Sequence, residues 1–432
     1  MTGEATPARR SYLFLQGMPT QFFRALGRGL TRGGHQVHRI ALNGGDLVLW
    51  PYGDGASFRG RGADWAGFVL DRLAAWSVTD LVLFGDCRPA HAESIALARP
   101  RGVRIHVFEE GYLRPNWITL ERDGVNARSS LPKDPQVYCE RASSLTPWDG
   151  GRPAPGSFMR RAADACLYHA ASMLLTPLYP HYETHRPWHP AAEFAGWIRK
   201  LVGVAPRARA AASLIERLIG SGAEYFVHPL QLDSDAQIRH HFELRAVRPA
   251  MEMVITSFAR AAPSAARLVI KEHPLDNGLK DWRAEMRAIA GRLGIEDRVL
   301  FVAGGDLDAL LMNARGVATV NSTVGLIALS LGVPVVALGQ AVYNLSGLTY
   351  PGPLDGFWTD GVEPSAELFD AFRRVVARDT QINGGYFHKA AIEMAVAEVL
   401  LRWGAAAAVH AEAQVQPPTA EFAATDALSM AY

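Results

Sequence analysis

Short apolar, β-branched runs recur along this chain, separated by segments whose apolar residues repeat at helical spacing. Residues 12–15 read as a strand. A helix follows from Pro19, with Phe22, Phe23, Leu26 and Leu30 on one face and Gly33-Gly34 as its stop. A second strand over 36–42 closes at Asn43-Gly44-Gly45-Asp46. An amphipathic helix then carries Trp65, Phe68, Val69, Leu73 and Trp76. A strand over 80–84, a helix over 90–98 and a strand over 103–108 come next, the last running into Glu109-Glu110-Gly111. This alternation predicts a doubly wound parallel sheet.

Residues 132–206 break the pattern with a Pro/Gly-rich stretch, a helical patch and a run of aromatics and histidines. A second α/β set starts near Arg207, with strands expected over 224–230, 267–270, 298–302, 316–320 and 334–338. Helices are expected over 364–377 and 392–403. The pattern predicts an α/β, GT-B-like architecture of two Rossmann-like domains facing a cleft. Residues 1–206 would form the first, 207–378 the second and 379–403 a C-terminal helix, with 404–432 a disordered tail.

Composition narrows the class. A chain of 432 residues with 49% hydrophobic and 20% charged positions fits a globular protein of more than one core. A net charge of +1 gives no case for nucleic acid as a partner. Cys87, Cys139 and Cys166 are widely spaced, show no zinc pattern and fit a reducing compartment. No signal peptide opens the chain, and the apolar stretch over 162–178 is interrupted by Asp164, His169 and Pro177. The expected location is cytoplasmic, with peripheral contact to a membrane.

Two segments carry the clearest chemistry. Lys271-Glu272-His273-Pro274 and Asn321-Ser322-Thr323-Val324-Gly325 each follow an expected strand and precede a helical segment. Open α/β sheets place ligands at such strand ends, and the hydroxyls and N–H groups at a helix start suit an anion. A nucleotide-linked donor is implied. Other residues leave alternatives open. Asp233-Ser234-Asp235 reads as a metal-binding DxD, as a helix cap or as a carboxylate site. Arg160-Arg161 with Leu167, Met173, Leu174 and Leu175 reads as a surface for anionic lipid or as core. His181, His185 and His189 lie four apart, but Pro180, Pro187 and Pro190 oppose a helix there, so no metal site is expected.

Taken in order, several segments resemble the bacterial capsule polysaccharide biosynthesis and export family, in particular its KpsS/LipB-type members, over about residues 11–400. They are Gln16-Gly17 with Phe22-Phe23, Asn43-Gly44-Gly45-Asp46, Glu109-Glu110-Gly111-Tyr112-Leu113-Arg114-Pro115, Gln231-Leu232-Asp233-Ser234-Asp235, the two segments above and Gly339-Gln340-Ala341-Val342-Tyr343.

The resemblance implies a transferase that moves Kdo (3-deoxy-D-manno-oct-2-ulosonic acid) from CMP-Kdo to a phosphatidylglycerol-type lipid acceptor at the inner membrane surface. Retention of configuration, no cofactor and other capsule synthesis or export proteins as partners are implied with it. Asp235 would be the nucleophile, with Gln231 beside it. Where the family has Asp-Ala-Ser-Ile, this chain has Asp235-Ala236-Gln237-Ile238. Glu109 or Glu110 would be the general base, with Glu109 favoured. Lys271, His273, Asn321, Ser322 and Thr323 would hold the donor, and Arg114 and Asn43 the acceptor or the sugar carboxylate. The rival readings are a GT-B enzyme with another nucleotide-sugar donor and a non-catalytic scaffold of the export complex.

Overall fold

The computed structural model describes residues 9–405 apart from 185–187 and 189, so His185, His189 and nearly all of the expected tail lie outside the described residues. Twelve strands run in chain order: β1 (Ser11–Phe14), β2 (Gln36–Ala41), β3 (Gly55–Ser57), β4 (Asp80–Phe84), β5 (Arg104–Glu110), β6 (Trp117–Arg122), β7 (Tyr225–Pro229), β8 (Arg267–Lys271), β9 (Val299–Val302), β10 (Gly316–Thr319), β11 (Val335–Ala337) and β12 (Gln381–Asn383). They form a seven-stranded sheet, β12-β6-β5-β4-β1-β2-β3, and a five-stranded sheet, β11-β10-β7-β8-β9. The second sheet is parallel throughout. Helices connect its strands, as short crossovers between parallel strands require. This is the α/β, GT-B-like arrangement of two Rossmann-like sheets that the alternation implied.

The first sheet departs from the expected all-parallel form at one edge. β6 runs antiparallel to β5, and β12 antiparallel to β6. The β5–β6 connection needs Gly111, because a Cβ there would lie 2.0 Å from the Trp117 carbonyl oxygen. β12 returns from the far end of the chain. Gln381 fixes it, donating to the Thr119 hydroxyl at 3.1 Å and accepting from the Tyr112 N–H at 2.9 Å. The helix Lys389–Arg402 then packs on the helix Phe22–Arg32, and Trp403 stacks on Tyr12 with ring centroids 5.4 Å apart. The segment expected as a lone C-terminal helix therefore completes the first sheet.

β4 is buried along its whole length, as its run of Leu81, Val82, Leu83 and Phe84 requires of a central strand. The two halves also share apolar packing. Tyr112, Leu113, Leu131 and Tyr138 from the first half join one core with Val227, Val269 and Phe372 from the second. The helix Phe158–Leu174 behaves differently. Met159 and Leu174 are 76% and 78% exposed, and Leu167 and Met173 are also exposed, so this patch is not core. Among the described residues no helix is long and apolar enough to cross a membrane.

Asp80, fully buried at the start of β4, ties the first sheet together. It accepts hydrogen bonds from Arg10, from Arg104 and His106 at 2.8–2.9 Å, and from the Thr79 hydroxyl at 2.6 Å. Burial alone would raise its pKa; the bonds from His106, Arg10 and Arg104 outweigh that and hold it well below the usual carboxylate range. Asp80→Ala leaves these donors without an acceptor and is expected to destabilise the chain by about 3 kcal/mol, read as a lower urea midpoint. The Asp80 contribution is complete above about pH 4 and fades on further acidification, so the gap between variant and wild type should close at low pH.

Candidate active site

Five strands of the two sheets deliver charged or polar groups from their carboxyl ends, where open parallel sheets bind ligands. β4 leads to Arg88, β5 ends in Glu109 and Glu110, and β7 leads through Gln231 to Asp235. β8 ends in Lys271 just before His273, and β10 leads to Asn321.

The two adjacent glutamates have opposite environments. Burial pushes the Glu109 carboxyl up to about 8, and the charges of Glu110 and Asp235 add to this, against the Glu110 N–H and Arg88. Asp235, which follows β7 of the second sheet, therefore lies close enough to sense Glu109 of the first. The Tyr386 hydroxyl donates to the Glu109 carbonyl at 2.9 Å and anchors the backbone here. Glu110 is also desolvated, which would raise its pKa. Arg114 and Arg161, each 2.9 Å away, overcome this and lower it. Environment separates the pair: Glu109 is suited to carry a proton, and Glu110 to stay ionised as an anchor for two guanidiniums.

His273 lies close enough to Arg114, Glu110, Lys271 and Lys200 to sense their charges. Its Nδ1 accepts the Leu275 N–H at 3.0 Å, which leaves the ring proton on Nε2. Burial first, then Arg114, lowers its pKa to about 3. The unliganded ring is thus a neutral N–H donor, and a bound anion would favour its protonation. Burial likewise lowers Lys271 to about 8, against the pull of Glu272. Lys200 stands beside it, 3.1 Å from a Glu272 oxygen.

Gln231 and Asn321 are buried and bonded to each other: the Gln231 amide donates to Asn321 Oδ1 at 3.0 Å and accepts the Asn321 N–H at 3.3 Å. They clip β7 to β10 at the floor of the cleft. Ser322 Oγ accepts the Val324 N–H at 3.2 Å, and Thr323 precedes the helix Val324–Ser330 without a side-chain cap bond. Tyr343 donates to the Ser322 carbonyl at 2.6 Å, and a Cβ at Gly325 would lie 2.3 Å from the Tyr343 hydroxyl. The segments containing Gly325 and Tyr343 are thus parts of one contact. Asp233 does not join Asp235 as a ligand pair; it pairs with Lys280 and accepts the Val247 N–H.

Asn43 is held within the first half of the chain. It is 1% exposed, accepts the Asp46 N–H at 2.9 Å and donates to Tyr168 at 2.8 Å. Its amide oxygen caps the helix Gly44–Leu49. Asn43 borders a network of Asp46, Tyr168 and Gln16 that continues to Arg88, whose guanidinium donates to Gln16 Oε1 at 2.9 Å. The sequence reading missed Arg88, Lys200 and Tyr386, and offered Arg161 only as part of a lipid surface or core. Arg88 carried the available signal, a charged residue just after a strand. Arg161 and Lys200 come from the segment that broke the alternation, and Arg161 turns inward to Glu110 rather than out to lipid.

Two Rossmann-like sheets with charged strand ends meeting in one cleft define an α/β protein of GT-B-like architecture. The chain belongs to the capsule polysaccharide biosynthesis protein family, whose model matches residues 79–387. It is 34% identical to the capsule polysaccharide export protein KpsS of Escherichia coli, over 88% of this chain and 97% of that one. It is 33% identical to the capsule polysaccharide modification protein LipB of Neisseria meningitidis, over 87% and 91%. Among solved structures, a beta Kdo 2,7 transferase, Thermosulfurimonas dismutans KpsC, aligns with a TM-score of 0.42 and 14% identity, over 91% of this chain and all of that one.

The raised Glu109 pKa has a measurable consequence. The folded chain keeps a proton that the unfolded chain releases above about pH 4.3, so this group subtracts stability as pH rises from there to about 8. Glu109→Gln removes that ionisation. It is expected to exceed wild type by about 1 kcal/mol or more in urea denaturation at about pH 8, with no difference near pH 4.

Proposed function

We propose that this chain transfers Kdo from CMP-Kdo to a phosphatidylglycerol-type lipid with retention of configuration. The reading is carried by one observation: a partly buried Glu109, its carboxyl pushed up to about 8, lies close enough to Asp235 to sense its charge, in a region that also holds Lys271, Lys200, Arg114 and the His273 N–H. Such an arrangement suits a double displacement on an anionic sugar nucleotide.

In the first step an Asp235 oxygen bonds to the anomeric carbon of Kdo as the bond to the cytidylate oxygen breaks. CMP leaves with that electron pair, and the basic groups together with His273 Nε2–H stabilise the added charge. Arg114, already aligned by Glu110, offers a planar donor pair for the sugar carboxylate. Between the steps Glu109 gives its proton to solvent; in the second step the acceptor hydroxyl attacks the same carbon, the ionised Glu109 takes the hydroxyl proton, and the Asp235 carboxylate is released. The charges sequence these steps. An Asp235 ester carries no charge, so its formation removes one of the influences that raise the Glu109 pKa. The base becomes easier to ionise when the second step requires it.

The exposed apolar residues Met159, Leu167, Met173 and Leu174 support a lipid acceptor and a peripheral position at the membrane. They lie on the helix that also sends Arg161 to Glu110, so the lipid side and the chemical site share one element.

Incubation with CMP-Kdo and a phosphatidylglycerol analogue should yield a Kdo-bearing lipid by mass spectrometry. Asp235→Ala should reduce the rate roughly 1000-fold or more, while CMP still raises Tm and UDP does not. Absence of product, or an unchanged rate in the variant, rejects the proposal. A Tm raised by UDP alone would favour another nucleotide-sugar donor.

A further inference from the structure

Asp86, Cys87 and His241 meet where the two halves of the chain approach each other, with Cys87 close enough to Glu109 to sense its charge. Asp86 and Cys87 follow β4 in the first half of the chain. His241 closes the helix Ala236–His241 in the second half, directly after Asp235. The Cys87 thiol donates to Asp86 Oδ1 at 3.1 Å, and its sulfur lies 3.3 Å from His241 Nε2. The three potential ligand atoms all fall within 4.8 Å of one another. Asp86 and His241 are buried, and Cys87 is partly so.

We propose that Asp86, Cys87 and His241 form a binding site for a thiophilic divalent cation, of which Zn²⁺ is the best match, and that the bound ion clasps the two halves of the chain together.

The donor set is one carboxylate oxygen, one thiolate and one imidazole, a combination that suits zinc better than magnesium or calcium. Ligand atoms around a tetrahedral zinc lie about 3.5 Å apart, given bonds of about 2.0–2.3 Å. The observed separations from sulfur therefore need only a small expansion to admit an ion. The outer oxygen of Asp86 is already engaged, by the Val125 N–H at 3.4 Å and by Arg128 at 3.5 Å. This turns the other oxygen toward the sulfur, as outer-shell partners orient metal ligands. Arg128, which also donates to the Asp86 carbonyl at 3.3 Å, opposes a cation, but its side chain is 53% exposed and water screens its charge. On binding, the S–H bond gives up its proton to solvent, a sulfur–metal bond forms, and a water fills the fourth position.

The location gives the site a consequence. One side of the ion would hold the loop that continues into Arg88. The other would hold the far end of the short helix that begins beside Asp235. A bound ion would fix the spacing between these two segments.

The test is anaerobic titration of the full chain with Co²⁺, in a background where the exposed Cys139 and Cys166 are replaced by serine. One equivalent of Co²⁺ should give a thiolate-to-metal charge-transfer band, and Zn²⁺ should displace it and raise Tm. Cys87→Ser should abolish the band. His241→Ala should weaken binding by more than the ~10–100-fold typical of losing an outer-shell partner. A background protein that binds no Co²⁺, or a band that survives Cys87→Ser, overturns the proposal and leaves a hydrogen-bonded triad. Because these readouts use no sugar donor, they succeed or fail independently of the transfer reaction.

Discussion

Desolvation of the Glu109 carboxyl disfavours its ionisation, and Asp235 lies close enough for its like charge to add to that. Their separate strands, β5 and β7, belong to different sheets, so the pairing exists only because the carboxyl ends of both sheets look into the same space. Desolvation and the nearby carboxylates together push the Glu109 carboxyl up to about 8. The surrounding groups are arranged around that constraint. Glu110 is kept ionised by Arg114 and Arg161, while Arg88 moderates Glu109 from the other side.

A second consequence is that positive charge in the cleft is held in reserve. Lys271 and His273 have lowered pKa values because burial withdraws water and neighbouring cations repel them. A phosphate entering the cleft would relieve both penalties and favour the protonated forms. Anion binding and proton uptake are thereby linked. In the same way, loss of charge at one carboxylate alters the readiness of the other.

Holding such groups in place requires halves that keep their relative position. The shared core around Tyr112, Tyr138 and Phe372 supplies apolar contact between them, and the return of the chain through β12 closes the first sheet with residues remote in sequence. Gln381 is central to that return because its buried amide satisfies the backbone at Tyr112 and the hydroxyl of Thr119. The β5–β6 turn, which carries Arg114, is thus braced from the opposite end of the chain.

The alternation of apolar runs and helical periods made both sheets legible, because strands buried on both faces leave nearly continuous apolar segments. It also placed Glu109, Lys271, His273 and Asn321 at strand ends. Three features escaped it. β3 and β12 are too short to leave a period, and β6 is recognisable only through its pairing with β5. The sequence by itself determined the two-sheet α/β class and the residue types at the cleft. The tertiary structure decided that desolvation raises the Glu109 pKa while Arg114 and Arg161 lower that of Glu110, that Asn43 caps a helix, that Arg161 bonds to Glu110, and that Cys87 meets His241. Periodicity is a local property of the chain, whereas charge environment depends on neighbours brought together from distant positions.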